Sequence, residues 1–272
     1  MRAGSTTAVL GADGCPGNGW VVAELVLADV PVADVPVAEG AVAGVPVAER
    51  AVAGAPVAGV PVPGGPAPDV APLQVRWHHV VGARALLELA ADLDARAVAV
   101  DVPVGLPEQG VRACDVLART RLRGGGTSSV FAAPTRGVLR HRTYGAARAQ
   151  QSSLSAQAFA LAERIRDVDD VLRGAGPGVH ELVLECHPEV SLRALTGQVL
   201  PPKKSAPGAL GRLRALEREL GPLPVDAPRR AGLDDALDAL ACAWTARRWV
   251  RGQSEVLGGD LDATGVPMRI VV

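Results

Sequence analysis

Aromatic residues are scarce, with four Trp, two Phe and one Tyr making up 3% of the 272-residue chain. No apolar run approaches the roughly 20 residues that a bilayer crossing requires, so a membrane-spanning protein is not expected. The opening MRAGSTTAVL carries one arginine and an apolar stretch too short for a signal peptide, which points to the cytoplasm. Cys15, Cys114, Cys186 and Cys242 are far apart and form no C-x-x-C pair. Neither a zinc knuckle nor a dithiol redox motif is signalled, and reduced thiols are expected. An excess of one charge is also missing: 28 basic residues face 29 acidic ones. A dinucleotide-binding signature is lacking as well. Gly14, Gly17 and Gly19 follow an apolar run but lead into a second one rather than a helix, so no helix terminus is offered to a phosphate.

Hydrophobic residues, by contrast, make up 48% of the chain, enough for a globular core. They are unevenly spread. Residues 29–70 hold eight prolines and no aromatic, and Pro-Val-Ala recurs at Pro31, Pro36, Pro46 and Pro56. Proline at this density fixes φ and removes backbone donors, so the stretch reads as a low-complexity insert of extended or irregular chain. Long insertions in surface loops cost little closure entropy, so a tolerated expansion explains it without a function. One domain spanning residues 1–272 and interrupted by this insert is expected.

Outside the insert, Ala8–Asp13 and Trp20–Leu27 read as a hairpin around a glycine-rich turn, and Leu73–Val81 as a third strand. Helical spacing over Gly82–Asp94 precedes a buried-type strand, Ala97–Val100, and a fifth strand is expected over His180–Cys186. Further helices are predicted near Val111–Leu122, Ser153–Leu172, Pro207–Leu220 and Leu233–Val250, with a last apolar piece at Met268–Val272. This order gives a mixed α/β protein with five strands.

Three carboxylates fall at the ends of apolar runs: Asp13, Asp101 and Glu185. Acids brought to one edge of a sheet repel one another unless a cation joins them. Each has an ordinary alternative as a turn or capping residue. Asp235 and Asp238, three apart, project from one face of the last long helix, away from Leu237, Leu240 and Trp244, while Asp234 has the position of an N-cap. Glu185 and His187 share a face if the fifth strand continues, and Cys186 then points the other way, against a Cys186–His187 dyad.

DGCPGNGW, VDVPVGLPE, RACDVLART, SSVFAAPTR, LSAQAFAL, ECHPEVS and DDALDALACAWTA, in this order, resemble domain-of-unknown-function family 429, described as predicted nucleases with an RNase H-like fold. The resemblance spans nearly the whole chain except the insert. It implies an RNase H-like sheet flanked by helices. It matches Asp13 to the first-strand acid, Asp101 to the acid after the fourth strand, and Asp235 and Asp238 to an Asp-x-x-Asp on the final helix.

Phosphodiester hydrolysis with two divalent ions about 3.5–4 Å apart needs four or five hard oxygen ligands. Asp13, Asp101, Glu185, Asp235 and Asp238 would supply them to Mg²⁺ or Mn²⁺, with His187 as an outer ligand or proton carrier. The expected partner is nucleic acid. Residues 112–148 contain eight arginines and His141 against one acid, Asp115. Arg119, Arg123 and Arg136 in this block, together with Lys203 and Lys204, are the candidate substrate contacts, and Phe131 and Tyr144 are placed to stack on bases. Two other readings stay open. One is an ATP-binding protein of the actin and sugar-kinase branch, with DGCPGNG as its phosphate turn; the other is a non-catalytic nucleic-acid-binding module.

Overall fold

The computed structural model describes residues 7–27 and 73–272; the proline-rich repeat of residues 29–70 lies outside them. Three antiparallel strands open the fold: β1 (Thr7–Cys15), β2 (Gly19–Leu27) and β3 (Gln74–Val81). Helix α1 (Ala83–Asp92) returns the chain to β4 (Ala95–Val100), which pairs parallel with β1. Then follow α2 (Ala113–Arg121), α3 (Tyr144–Gln150), α4 (Ala156–Ala160), α5 (Ala162–Arg173) and α6 (Pro177–Leu182), before β5 (Val183–Cys186) joins parallel to β4. Helices α7 (Pro188–Thr196), α8 (Ala206–Leu220) and α9 (Leu233–Val250) lead to an antiparallel pair, β6 (Val256–Leu261) and β7 (Pro267–Val271).

The strands form one mixed sheet in the order β3-β2-β1-β4-β5-β7-β6. Among the described residues it therefore has seven strands where five were expected. Of the two additional strands, β7 coincides with the apolar piece expected at Met268–Val272, while β6 was missed: its VLGGDL buries only Leu257 and places Gly258 and Gly259 at φ 79° and 136°. Such a segment shows neither alternation nor β-branched enrichment. The fifth strand is also shorter than the apolar run suggests. Pro177 at the start of α6 carries His180 to Leu182 into a helix, leaving four residues for β5.

Side chains alternate across each strand, which divides the core in two. Val9, Val21, Ala23, Ala97, Ala99 and Leu184 face α7, α8 and α9. Leu10, Ala12, Val22, Val98 and Val100 face α1 and α5. Because both faces are covered, β1, β2 and β4 read as nearly continuous apolar runs.

Helix α9 is buried at every residue from Ala236 to Ala246, so the exposed acidic face expected for it does not exist. It reaches the sheet unusually closely at Gly11 in β1. A Cβ there would lie 2.0 Å from the Ala243 amide nitrogen and 2.2 Å from the Ala239 carbonyl oxygen. Small residues on both sides are what allow strand and helix backbones to touch. Gly11→Ala ordinarily stabilises by removing unfolded-state entropy. Here it is expected to cost about 1–3 kcal/mol as α9 is pushed away. A fall in the urea unfolding midpoint checks this, and an unchanged or raised midpoint would contradict the close approach.

Candidate metal centre

The pairing of β1 with β4 sets Ala12 opposite Val100, and the Asp101 N–H donates to the Ala12 carbonyl at 3.1 Å. Asp13 and Asp101 follow these partners, so the register alone brings two acids side by side. Asp13 has the parity of Val9 and Gly11 and points toward the face that α9 covers. On that helix Asp238 immediately precedes Ala239, whose carbonyl approaches Gly11. Oxygens of Asp13, Asp101 and Asp238 all lie within 4.8 Å of one another.

This concentration of negative charge is poorly neutralised. Burial first, then the charges of Asp101 and Asp238, hold Asp13 well above the usual carboxylate range, against the Gly14 N–H and Lys203, which favour its charged form. Asp101 is raised in the same way by burial and by Asp238. Burial pushes Asp238 up to about 6 even though Lys203 opposes the shift. The Lys203 ammonium donates to Asp238 Oδ2 at 2.6 Å and is raised above its ordinary value by Asp238, Asp13 and Asp101. Its segment is fixed from below: Arg212 donates to the Pro201 carbonyl at 2.8 Å, and Gly208 lets the Pro202 carbonyl rest on α8.

Asp238 is only 2% exposed, yet its Oδ1 has no hydrogen-bond partner among the described residues. An orphaned carboxylate oxygen on a buried residue clustered with two more carboxylates is costly as it stands. The three hard oxygen donors suit a divalent cation of the Mg²⁺ or Mn²⁺ kind, and such an ion would satisfy the orphan. The set therefore fits the expected metal.

Two of the five expected ligands are committed elsewhere. Glu185 pairs in register with Val100 and takes its parity, so it points to the opposite face of the sheet from Asp13. There the Arg112 guanidinium holds both of its oxygens, at 2.7 and 2.8 Å, and the Val104 N–H donates at 2.8 Å. Asp235 is the third residue of α9 and accepts the Gly232 N–H at 2.9 Å as the acid of a capping box, so the N-cap position expected for Asp234 is held by Gly232 and Asp234 lies in the first turn. His187 lies beyond the end of β5 and caps α7, so it does not continue the strand with Glu185. Its Nε2 donates to the Ser129 carbonyl at 3.2 Å, Nδ1 is buried without a partner, and burial lowers its pKa. Cys186 packs instead against Ser191 and Thr245, and no Cys186–His187 dyad forms. All four cysteines are free and buried.

The expected basic surface is neutralised in part: Arg112, Arg121 and Arg136 pair with acids, whereas Arg123, Arg140, Arg142 and Arg148 are exposed with no ion pair among the described residues. Arg136 bonds Asp169, Asp262 and Glu108, so it braces the α5 and β6–β7 regions and is not a substrate contact. Arg119 donates to the Val130 carbonyl, while Arg123 and Lys204 are exposed. Tyr144 packs on Phe159 with ring centroids 5.6 Å apart, a core role. Sequence reasoning missed Arg112, which is buried between Glu185 and Asp115 and also donates to the carbonyls of Val104 and Gly105. The spacing of Arg112 and Asp115, three apart at a helix start, was the available signal.

Asp101 and Asp238 also line a cleft of about 520 Å³ walled by residues 125–131, residues 199–203 and α4. The glycine turn after β1 borders a separate open hollow that contains Glu163 and Asp235. The charged groups of that hollow are Glu163, Asp235 and Arg164, whose guanidinium donates to the carbonyls of Cys15 and Gly19.

Residues 11–263 match the family model described as protein of unknown function (DUF429). The chain belongs to this family. No curated protein and no solved structure matches it.

Two outcomes follow from this geometry. Arg112→Met leaves Glu185 and Asp115 buried without their cation and is expected to cost about 3–5 kcal/mol, read from urea unfolding. For the acids, folded pKa values above the unfolded ones mean that the folded protein binds extra protons. Stability of the metal-free protein therefore falls as pH rises from the ordinary Asp range through about 6 and beyond. Asp101→Asn removes one of the repelling charges, so it is expected to melt higher than the parent at pH 8, with the difference shrinking toward pH 5. Melting curves at the two pH values test the sign.

Proposed function

We propose that the protein is a metal-dependent phosphodiester hydrolase acting on nucleic acid. The observation that carries the reading is the convergence of Asp13, Asp101 and Asp238, from two strand ends and one helix, with Asp238 Oδ1 buried and unpartnered among the described residues. The β3-β2-β1-β4-β5 part of the sheet, antiparallel and then parallel, supports an RNase H-like assignment, with β7 and β6 extending it at one edge.

A divalent ion bound here supplies Lewis-acid stabilisation of a phosphoryl oxygen and lowers the pKa of water. The three carboxylates would hold it as hard oxygen donors. Lys203 then exchanges part of its pairing with Asp238 for the substrate phosphate, whose charge it meets at the edge of the cleft. Asp235 and Glu185 are second-ion ligands only if they give up the Gly232 N–H and Arg112 respectively, so the arrangement favours one tightly held ion. The four reduced cysteines suit a cytoplasmic setting. No helix among the described residues is long and apolar enough to cross a membrane.

Mn²⁺ is expected to raise the melting temperature of the parent and not of Asp13→Asn or Asp238→Asn. Cleavage of a panel of labelled RNA, DNA, hybrid and branched substrates is expected to fall by at least about 100-fold in both variants. Melting temperatures that respond equally to Mn²⁺ in all three proteins, or a panel left uncut by the parent, would refute the assignment.

A further inference from the structure

The cleft beside the acids is bounded on several sides. Its walls come from residues 125–131, residues 199–203, α4 and the junction of β5 with α7. Two of these walls meet: a Cβ on Gly125 would lie 2.6 Å from Val199 Cγ1, so the loops before α3 and before α8 are in contact. At about 520 Å³ the space lies within the roughly 300–1,000 Å³ typical of a site for one small molecule. Val130, Phe131, Leu161 and Leu200 give it apolar surfaces, and Gln157, exposed and with no side-chain hydrogen bond among the described residues, gives it a polar edge. A base held out of its stack needs this combination of apolar faces and a few hydrogen-bonding groups.

The charges in the walls set a second limit. Arg112 is neutralised by Glu185 and Asp115, and Arg212 by Glu189 at 2.6 Å. Lys203 is the lining cation that lies beside the acids. A groove that tracks several successive phosphates needs a row of cations, and the cleft wall has none among the described residues. The acids themselves stand at its margin, since Asp101 and Asp238 line the space and Asp13 does not. A scissile phosphate at the acids thus has room for one nucleoside on the cleft side.

Building on the hydrolase assignment above, we propose that the site acts on the terminal phosphodiester of a nucleic-acid strand, with the last nucleoside seated in this cleft. The contact of Gly125 with Val199 blocks a strand from leaving the cleft on that side, which disfavours an internal linkage. The test uses the full chain with Mn²⁺ and three substrates: an end-labelled linear oligonucleotide, the same sequence closed into a single-stranded circle, and bis(p-nitrophenyl) phosphate. Mononucleotides released from the linear strand at the earliest times, with the circle left intact and the small diester hydrolysed, is the expected result. Cutting of the circle at a rate comparable to the linear strand overturns the terminal assignment while the hydrolase reading stands. Hydrolysis of the small diester with both oligonucleotides untouched overturns the terminal assignment together with the nucleic-acid part of the hydrolase reading, and leaves only diester hydrolysis standing. No hydrolysis of any of the three overturns both.

Discussion

The contact between α9 and β1 at Gly11 governs most of what this molecule can do. With no side chain on the strand and alanines on the helix, the two backbones approach until the Ala239 carbonyl and Ala243 amide occupy the space that a Cβ would need. That approach buries α9 almost all round and brings Asp238 to the ends of β1 and β4. A larger residue at either surface would hold the helix away and separate the acids. The packing constraint and the candidate chemistry are therefore the same feature, read at adjacent positions along one strand.

Charge is distributed by burial rather than by local composition. Where a cation and an acid are both enclosed with complete hydrogen bonding, as at Arg112 with Glu185 and Asp115, the result is a brace that ties the loop after β4 to α2 and β5. Where three acids are enclosed with only Lys203, the metal-free cluster is left strained, its carboxyls displaced toward the protonated form. Well-satisfied networks rigidify a fold, whereas an under-satisfied one at a cleft is the arrangement associated with binding and chemistry. The two kinds of network lie close together here. The rigid one holds the frame against which the strained one is displayed.

How legible these features were depended on the range of the interaction that fixes them. Asp13 and Asp101 were visible because they end apolar runs, and such ends fall on one edge of a parallel pair. Glu185 looked equivalent by the same criterion and is not. Its position differs by one residue in register, which in a strand reverses the face, and no sequence pattern reports the pairing of β4 with β5. Asp235 and Asp238 looked like a pair because helical spacing aligns them, yet the one at the helix start is used for its cap while the other is enclosed a turn later. Arg136 in the arginine-rich segment was misleading for a similar reason. Arg136 meets Asp169 and Asp262, acids far along the chain, and composition within a window cannot register them.

Sequence by itself determined the alternation of apolar segments into strands and helices, the separation of a proline-rich insert, the family, and the candidate acids at strand ends. Those properties depend on local periodicity, backbone restriction and residue order, all of which are carried by short stretches of chain. Only the tertiary structure decided that the sheet has seven strands, that three of five acids converge, and that most of the basic residues in the cleft wall are already paired. Each of these turns on which distant segments lie next to one another and on which side of a strand a residue falls. Coulombic and hydrogen-bond energies depend steeply on distance, so a carboxylate becomes a ligand or a brace according to the few ångströms that folding sets.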